Sequence, residues 1–197
     1  MRKEFKHEFK MDDVPKWKDV KEFWDNLRGL KFLGEISFRD FMLLSLLIWY
    51  GRRIGEITRL TVEDINFNKG ERGIIYFIQL KTRKKENRKK VALPIIPPIK
   101  EYLFEYVNNE INPFGKRKLF DITIRQARNI VYKYTKQLMG EKLRPHAFRH
   151  AIGDYLTRRK GIAFAQYWLG HSSIAITQIY THYNYKTIEE ELPEEFR

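Results

Sequence analysis

One stretch leaves the fold little freedom. From Phe41-Met42-Leu43-Leu44 to Tyr50 the chain is apolar nearly all round. A helix with no polar face to offer water is placed at the centre of a core rather than across its surface. Ser37 can cap the start of that helix, with Asp40 three positions on, and Gly51 can close its end. At this length the run is too short to span a bilayer. The rest of the chain must wrap around it.

The flanking patterns say how. From Lys18 to Leu27, Val20, Phe23, Trp24 and Leu27 recur at helical spacing. A short helix carrying Ile54, Ile57 and Leu60 follows Gly51. The texture then changes: Gly73-Ile74-Ile75-Tyr76-Phe77-Ile78-Gln79-Leu80 reads as a strand, Lys89 to Leu93 as its partner, and the basic segment between them as a hairpin tip. Pro94, Pro97 and Pro98 end the sheet. Helices resume at Ile99 to Val107, Ile122 to Leu138, Pro145 to Arg159, Ile162 to Leu169 and Ile174 to His182. A last short one is expected at Lys186 to Glu191. The expected fold is mainly α with a small antiparallel β-sheet. Residues 1–15 form a polar lead-in, 16–185 one domain and 186–197 an acidic, solvated tail.

Composition narrows the partner. Among 197 residues, 38 Lys and Arg stand against 25 Asp and Glu, a net charge of +13. Such an excess points to a polyanion, nucleic acid first and an anionic membrane second, with an inert basic surface as the alternative. There is no cysteine, which excludes disulfides, thiolate metal sites and a cysteine nucleophile. No apolar h-region follows Met1-Arg2-Lys3-Glu4, so no signal peptide is visible. The expected location is cytoplasmic and DNA-associated, or the host cytoplasm if a virus or mobile element encodes the chain.

Four segments can carry chemistry. In Arg144-Pro145-His146-Ala147-Phe148-Arg149-His150, Pro145 suits the first helical position, which puts His146 in the first turn and Arg149 on the same face. A helix start, an imidazole and a guanidinium fork together suit an anion. Taken alone, the segment is equally a capped helix with a surface arginine. His146 and His150 as a metal pair is weaker, because no carboxylate is near and Arg149 would repel a cation. In Leu169-Gly170-His171, Gly170 can cap one helix and Ser172 or Ser173 can start the next. His171 then sits in a turn and can face Tyr180, although most tyrosines simply pack. In Gly51-Arg52-Arg53-Ile54-Gly55-Glu56, Glu56 can orient Arg53. The tip from Lys81 to Lys90, with Arg83, Lys84 and Lys85, is too charged to pack, and reads as a finger laid on phosphates.

Together these segments resemble the catalytic domain of the tyrosine recombinase (phage integrase) family, from about Asp12 onward. The family's Gly-Leu-Arg-Ile-Ser-Glu box is here Gly51-Arg52-Arg53-Ile54-Gly55-Glu56. Its hairpin lysine matches Lys81, its His-x-x-Arg box His146 and Arg149, and its Leu-Gly-His box Leu169-Gly170-His171. Its nucleophile segment matches Thr177-Gln178-Ile179-Tyr180-Thr181-His182. Arg52 stands where leucine is usual, and Lys84 and Lys85 are further candidates for the catalytic lysine. No room for the family's separate N-terminal DNA-binding domain precedes Asp12, so a catalytic fragment or a reduced member is expected.

The resemblance implies site-specific recombination of double-stranded DNA. Tyr180 would attack a phosphodiester to give a 3′-phosphotyrosine, with Arg53, Arg149 and His171 on the phosphate oxygens. His146 would take the phenol proton, Lys81 would protonate the leaving 5′ oxygen, and Glu56 would hold Arg53. Arg52, Arg83, Lys84, Lys85 and Arg144 would bind DNA. No metal or nucleotide cofactor is implied. A type IB topoisomerase-like relaxing enzyme and a non-catalytic DNA-binding regulator are the competing readings. The family also self-associates on DNA, as a dimer or tetramer, often through the segment after the nucleophile. Truncation after Tyr185 is therefore expected to weaken assembly on DNA, and a gel shift that is unchanged would refute this.

Overall fold

A computed structural model describes residues 14–79, 90–109, 118–170 and 185–196. At its centre lies α2, Phe38–Tyr50, and every residue from Asp40 to Tyr50 is buried. The Ser37 hydroxyl accepts from the Asp40 amide at 3.2 Å and so satisfies one free donor of the first turn. Ahead of it, α1 (Trp17–Phe32) buries Val20, Phe23, Trp24 and Leu27 as one stripe. After it come α3 (Ile54–Ile57) and a three-stranded antiparallel sheet, β1 (Ile65–Asn66), β2 (Ile74–Ile78) and β3 (Lys90–Pro94), in that spatial order. Register is set by Ile74 opposite Pro94 and Ile78 opposite Lys90. Then follow α4 (Pro97–Asn109), α5 (Ile124–Met139), α6 (Pro145–Lys160), α7 (Ile162–Leu169) and α8 (Tyr185–Glu190).

The buried helix is tied by side chains whose polar atoms would otherwise be stranded. Trp24 Nε1 donates to Ser45 Oγ at 3.0 Å and Trp168 Nε1 to the Trp49 carbonyl at 3.2 Å. The Tyr50 hydroxyl donates to the Pro94 carbonyl at 2.9 Å, which fixes the sheet to the end of α2. Gly51 then turns the chain at φ 55. A methyl group there would fall 2.5 Å from Ile152 and 2.8 Å from Leu169, so α6 and α7 pack directly on the bare backbone.

The mainly α architecture with its small antiparallel sheet is as expected, and the differences are local. Strand β1 was not foreseen: with two residues it is too short to show an alternation. Helix α4 begins at Pro97 rather than Ile99, since proline costs nothing in a first turn. Helix α5 begins at Ile124 rather than Ile122, because the Thr123 hydroxyl accepts from the Gln126 amide at 3.2 Å. The helix expected over Ile174 to His182 and the hairpin tip lie outside the described residues.

The tail requires a correction. Rather than remaining solvated, it packs on the body: Ile188, Leu192 and Phe196 are buried, and Phe196 is fully so. The Phe196 ring lies 5.2 Å from that of Trp49 and 5.4 Å from that of Trp168. The acidic residues are used as well. Glu189 accepts from the Arg72 amide at 3.0 Å, and Glu195 accepts from the Tyr155 hydroxyl. The apolar residues between the glutamates decide the outcome, since burying each large ring contributes about 1.5–3 kcal/mol. Phe196→Ala is therefore expected to cost about 3–5 kcal/mol and lower the melting temperature by roughly 10 °C in a calorimetric or circular-dichroism melt. Glu195→Gln should change it by only about 1 kcal/mol.

Candidate active site

Two neighbouring helix starts build the site. Beyond Gly51 the chain enters α3, where Arg53 is the residue that precedes the first turn. Its backbone amide donates to Glu56 Oε2 at 3.2 Å and its Nη1 to Glu56 Oε1 at 3.1 Å. The Glu56 side chain is wholly buried whereas that of Arg53 is 27% exposed. A sunken carboxylate thus holds a guanidinium at the surface, fixing its direction without removing it from an incoming anion.

Pro145 starts α6, so His146 lies exposed in the first turn and Arg149 lies one turn deeper. Arg149 Nη1 donates to the Gly51 carbonyl at 2.8 Å, while its buried Nη2 has no hydrogen-bond partner among the described residues. Burial, then the Arg53 charge, pushes Arg149 down to about 10, against the pull of Glu56. It remains a cation at neutral pH, with one free donor. The structure therefore brings Arg53, Glu56, His146 and Arg149 together from segments far apart in sequence.

His146 lies below its ordinary 6.5 because burial, then Arg149, then His150 and Arg53 disfavour a further positive charge. At pH 7 it is a neutral imidazole able to accept a proton. The His150 ring lies 6.4 Å from it, lowered by the same causes, burial and Arg149. Among the described residues no three His, Asp or Glu side chains gather as a metal site would need.

Beside His146 opens a cleft of about 530 Å³, lined among others by Arg128, Tyr132, Arg144 and His150. Arg144 is exposed at the mouth of α6. Sequence reasoning did not single out Arg128 and Tyr132; their i, i+4 spacing on α5 was the available signal. Arg52 requires a correction. Expected on DNA, it is 1% exposed, with its guanidinium carbon 4.9 Å from the Phe77 ring centroid. The left-handed turn at Gly51 sends residue 52 back beneath β2 while residue 53 faces outward. Lys81, Arg83, Lys84, Lys85, His171 and Tyr180 lie outside the described residues. The last described residue before His171 is Gly170, at φ 66.

Known proteins share this arrangement of elements. The crystal structure of XerH recombinase bound to its difH substrate, a pre-cleavage complex, superposes with a TM-score of 0.64 at 21% identity, over 92% of this chain and 54% of that one. The crystal structure of XerA recombinase gives 0.60 at 22% identity, over 92% and 62%. The fold is that of tyrosine recombinase catalytic domains. In sequence, tyrosine recombinase XerA of Pyrococcus furiosus is 32% identical over 170 residues, 82% of this chain and 56% of that protein. Tyrosine recombinase XerD of Staphylococcus haemolyticus is 28% identical over 189 residues, 90% of this chain and 60% of that protein. The chain thus spans little more than half the length of these relatives. The Phage integrase family profile matches residues 17–187, and the chain belongs to that family.

The electrostatics give a direct test. In a pH titration followed by NMR, His146 should titrate below 6.5, and Arg149→Met should move it upward by removing its largest charged neighbour. Because the folded value lies below the unfolded one, the folded state binds fewer protons. The contribution of His146 to stability is full above 6.5 and is lost as pH falls through its lower folded value.

Proposed function

We propose that the chain is the catalytic domain of a site-specific DNA recombinase that cuts and rejoins double-stranded DNA through a 3′-phosphotyrosine. The observation that carries this reading is the cluster just described: two guanidinium groups, one held by a buried carboxylate and one with a free donor, beside a neutral imidazole. Phosphoryl transfer asks a protein chiefly for positioning and for positive charge on the equatorial oxygens. Arg53 and Arg149 supply both, and His171 adds a donor. The Tyr180 oxygen bonds to phosphorus as the bond to the 5′ oxygen breaks. The phenol proton passes to His146, and Lys81 protonates the departing hydroxyl. The phosphotyrosine keeps the bond energy, so a second 5′ hydroxyl can reverse the step with no nucleotide and no metal.

The basic residues around the cleft support a DNA partner: Arg128 and Arg144 line it beside His146, and Arg83, Lys84 and Lys85 would add further contacts. Self-association on DNA as a dimer or tetramer and a cytoplasmic location complete the reading. Among the described residues no helix is long and apolar enough to cross a membrane.

Incubation with a nicked suicide DNA substrate should trap a covalent adduct, and Tyr180→Phe should abolish it. Arg149→Ala should slow adduct formation by about 10²–10³-fold, as loss of an oxyanion donor does elsewhere. An adduct that survives Tyr180→Phe removes the proposed nucleophile. Relaxation of any supercoiled plasmid without exchange between sites would favour a topoisomerase. Salt-sensitive binding with no adduct would favour a regulator.

A further inference from the structure

Arg52 has no role in that scheme, yet it is the most costly residue in the site. The residue is 1% exposed, and among the described residues none of Nε, Nη1 and Nη2 has a hydrogen-bond partner. The guanidinium stacks on Phe77 and fills the hollow left by a missing side chain: a Cβ on Gly170 would lie 2.1 Å from Arg52 Nη1. Glu56 attracts it, but that carboxylate is already bonded twice to Arg53, and Arg149 and Arg53 both repel it. Three guanidinium groups therefore share one carboxylate in a buried corner. A leucine would fill the volume without the cost of burying an unpaired charge. The Phe77 face and the shared Glu56 return only part of that cost to the fold.

The surroundings hold that charge without cancelling it. An aromatic face and bare glycine backbone fix the position of a guanidinium, whereas a carboxylate would neutralise its field. Arg52 lies against Phe77 of β2 and against the Gly170 backbone that ends α7, with Arg149 near enough to repel it. We propose that Arg52 is a third cation of the cleavage site, a positioning residue that acts from behind Arg149 and Gly170 on the phosphate without touching it. The inference rests on the recombinase reading. In a water-excluded corner a fixed charge acts over a longer range than in solvent, and it need not reorganise as negative charge develops.

The test separates charge from packing. Arg52→Met keeps most of the volume, Arg52→Gln keeps polarity, and Arg52→Lys keeps the charge. The expected result is that Met and Gln slow single-turnover adduct formation by about ten-fold. Lys should recover most of the rate. Melting of the Met variant should be unchanged or higher, since replacing a buried charge by an apolar group often stabilises. A scaffold role would lower melting and rate together. The proposal is overturned if Met cleaves at the wild-type rate, or slows only in proportion to its unfolded fraction. If Met does not fold, the Gln and Lys pair decides on the same terms. Inorganic phosphate gives a readout free of DNA: its stabilisation of the wild-type protein in a thermal melt should need about ten-fold more phosphate in the Met or Gln variant. Equal dependence overturns the proposal. A wild-type protein that forms no adduct on any DNA, yet shows that phosphate difference, sinks the recombinase reading and leaves the third cation standing.

Discussion

The contact between Arg149 and the Gly51 carbonyl, at 2.8 Å, ties the start of α6 to the end of the buried helix, where α6 and α7 already pack. Gly51 ends the buried helix, and its missing side chain lets Ile152 and Leu169 close on the backbone. The carbonyl exposed by that turn is the acceptor that orients Arg149. The same turn sends Arg52 inward and Arg53 outward, so one left-handed residue sets the direction of three cations. A rigid core thereby becomes a site held on helix starts rather than on loops, which is the more accurate way to fix catalytic groups.

Electrostatics at this junction run against stability. Buried arginines with free donors are expensive, and among the described residues Glu56 is the carboxylate that Arg52, Arg53 and Arg149 share. An anion would lift the imbalance, and Arg53, with 27% of its side chain exposed, is the cation of the three that solvent reaches. His146 follows the same logic. Burial first, and then the charges of Arg149, His150 and Arg53, keep the imidazole neutral, so the crowding of cations that is costly to the fold also bears on its protonation.

Much of this was legible in the sequence because local chemistry and global placement agree there. The all-round apolar Phe41 to Tyr50 run had to be central. Ser37 and Gly51 marked its ends, and Pro145 put His146 and Arg149 on one face. What was not legible depended on contacts across the fold. Nothing local says that Arg52 is buried, because that follows from the φ of Gly51 and from the hollow at Gly170. Arg128 and Tyr132 became neighbours of His146 only when α5 packed beside α3. The tail misled because its glutamates dominate the composition, while Ile188, Leu192 and Phe196 determine its position.

That tail bears on the site through the aromatic cluster it completes. Trp168 stacks on Tyr50 at 5.5 Å, donates to the Trp49 carbonyl and meets Phe196. It also stands two residues before Gly170, so the position of the α7 end is set by the same rings that hold the C-terminus. The described residues stop at Gly170 and resume at Tyr185, and those between include His171 and Tyr180. Both exits of that segment are therefore anchored on one hydrophobic cluster behind the arginines. The Trp168 ring thereby links the packing of Phe196 to the end of α7, against whose Gly170 the Arg52 guanidinium lies.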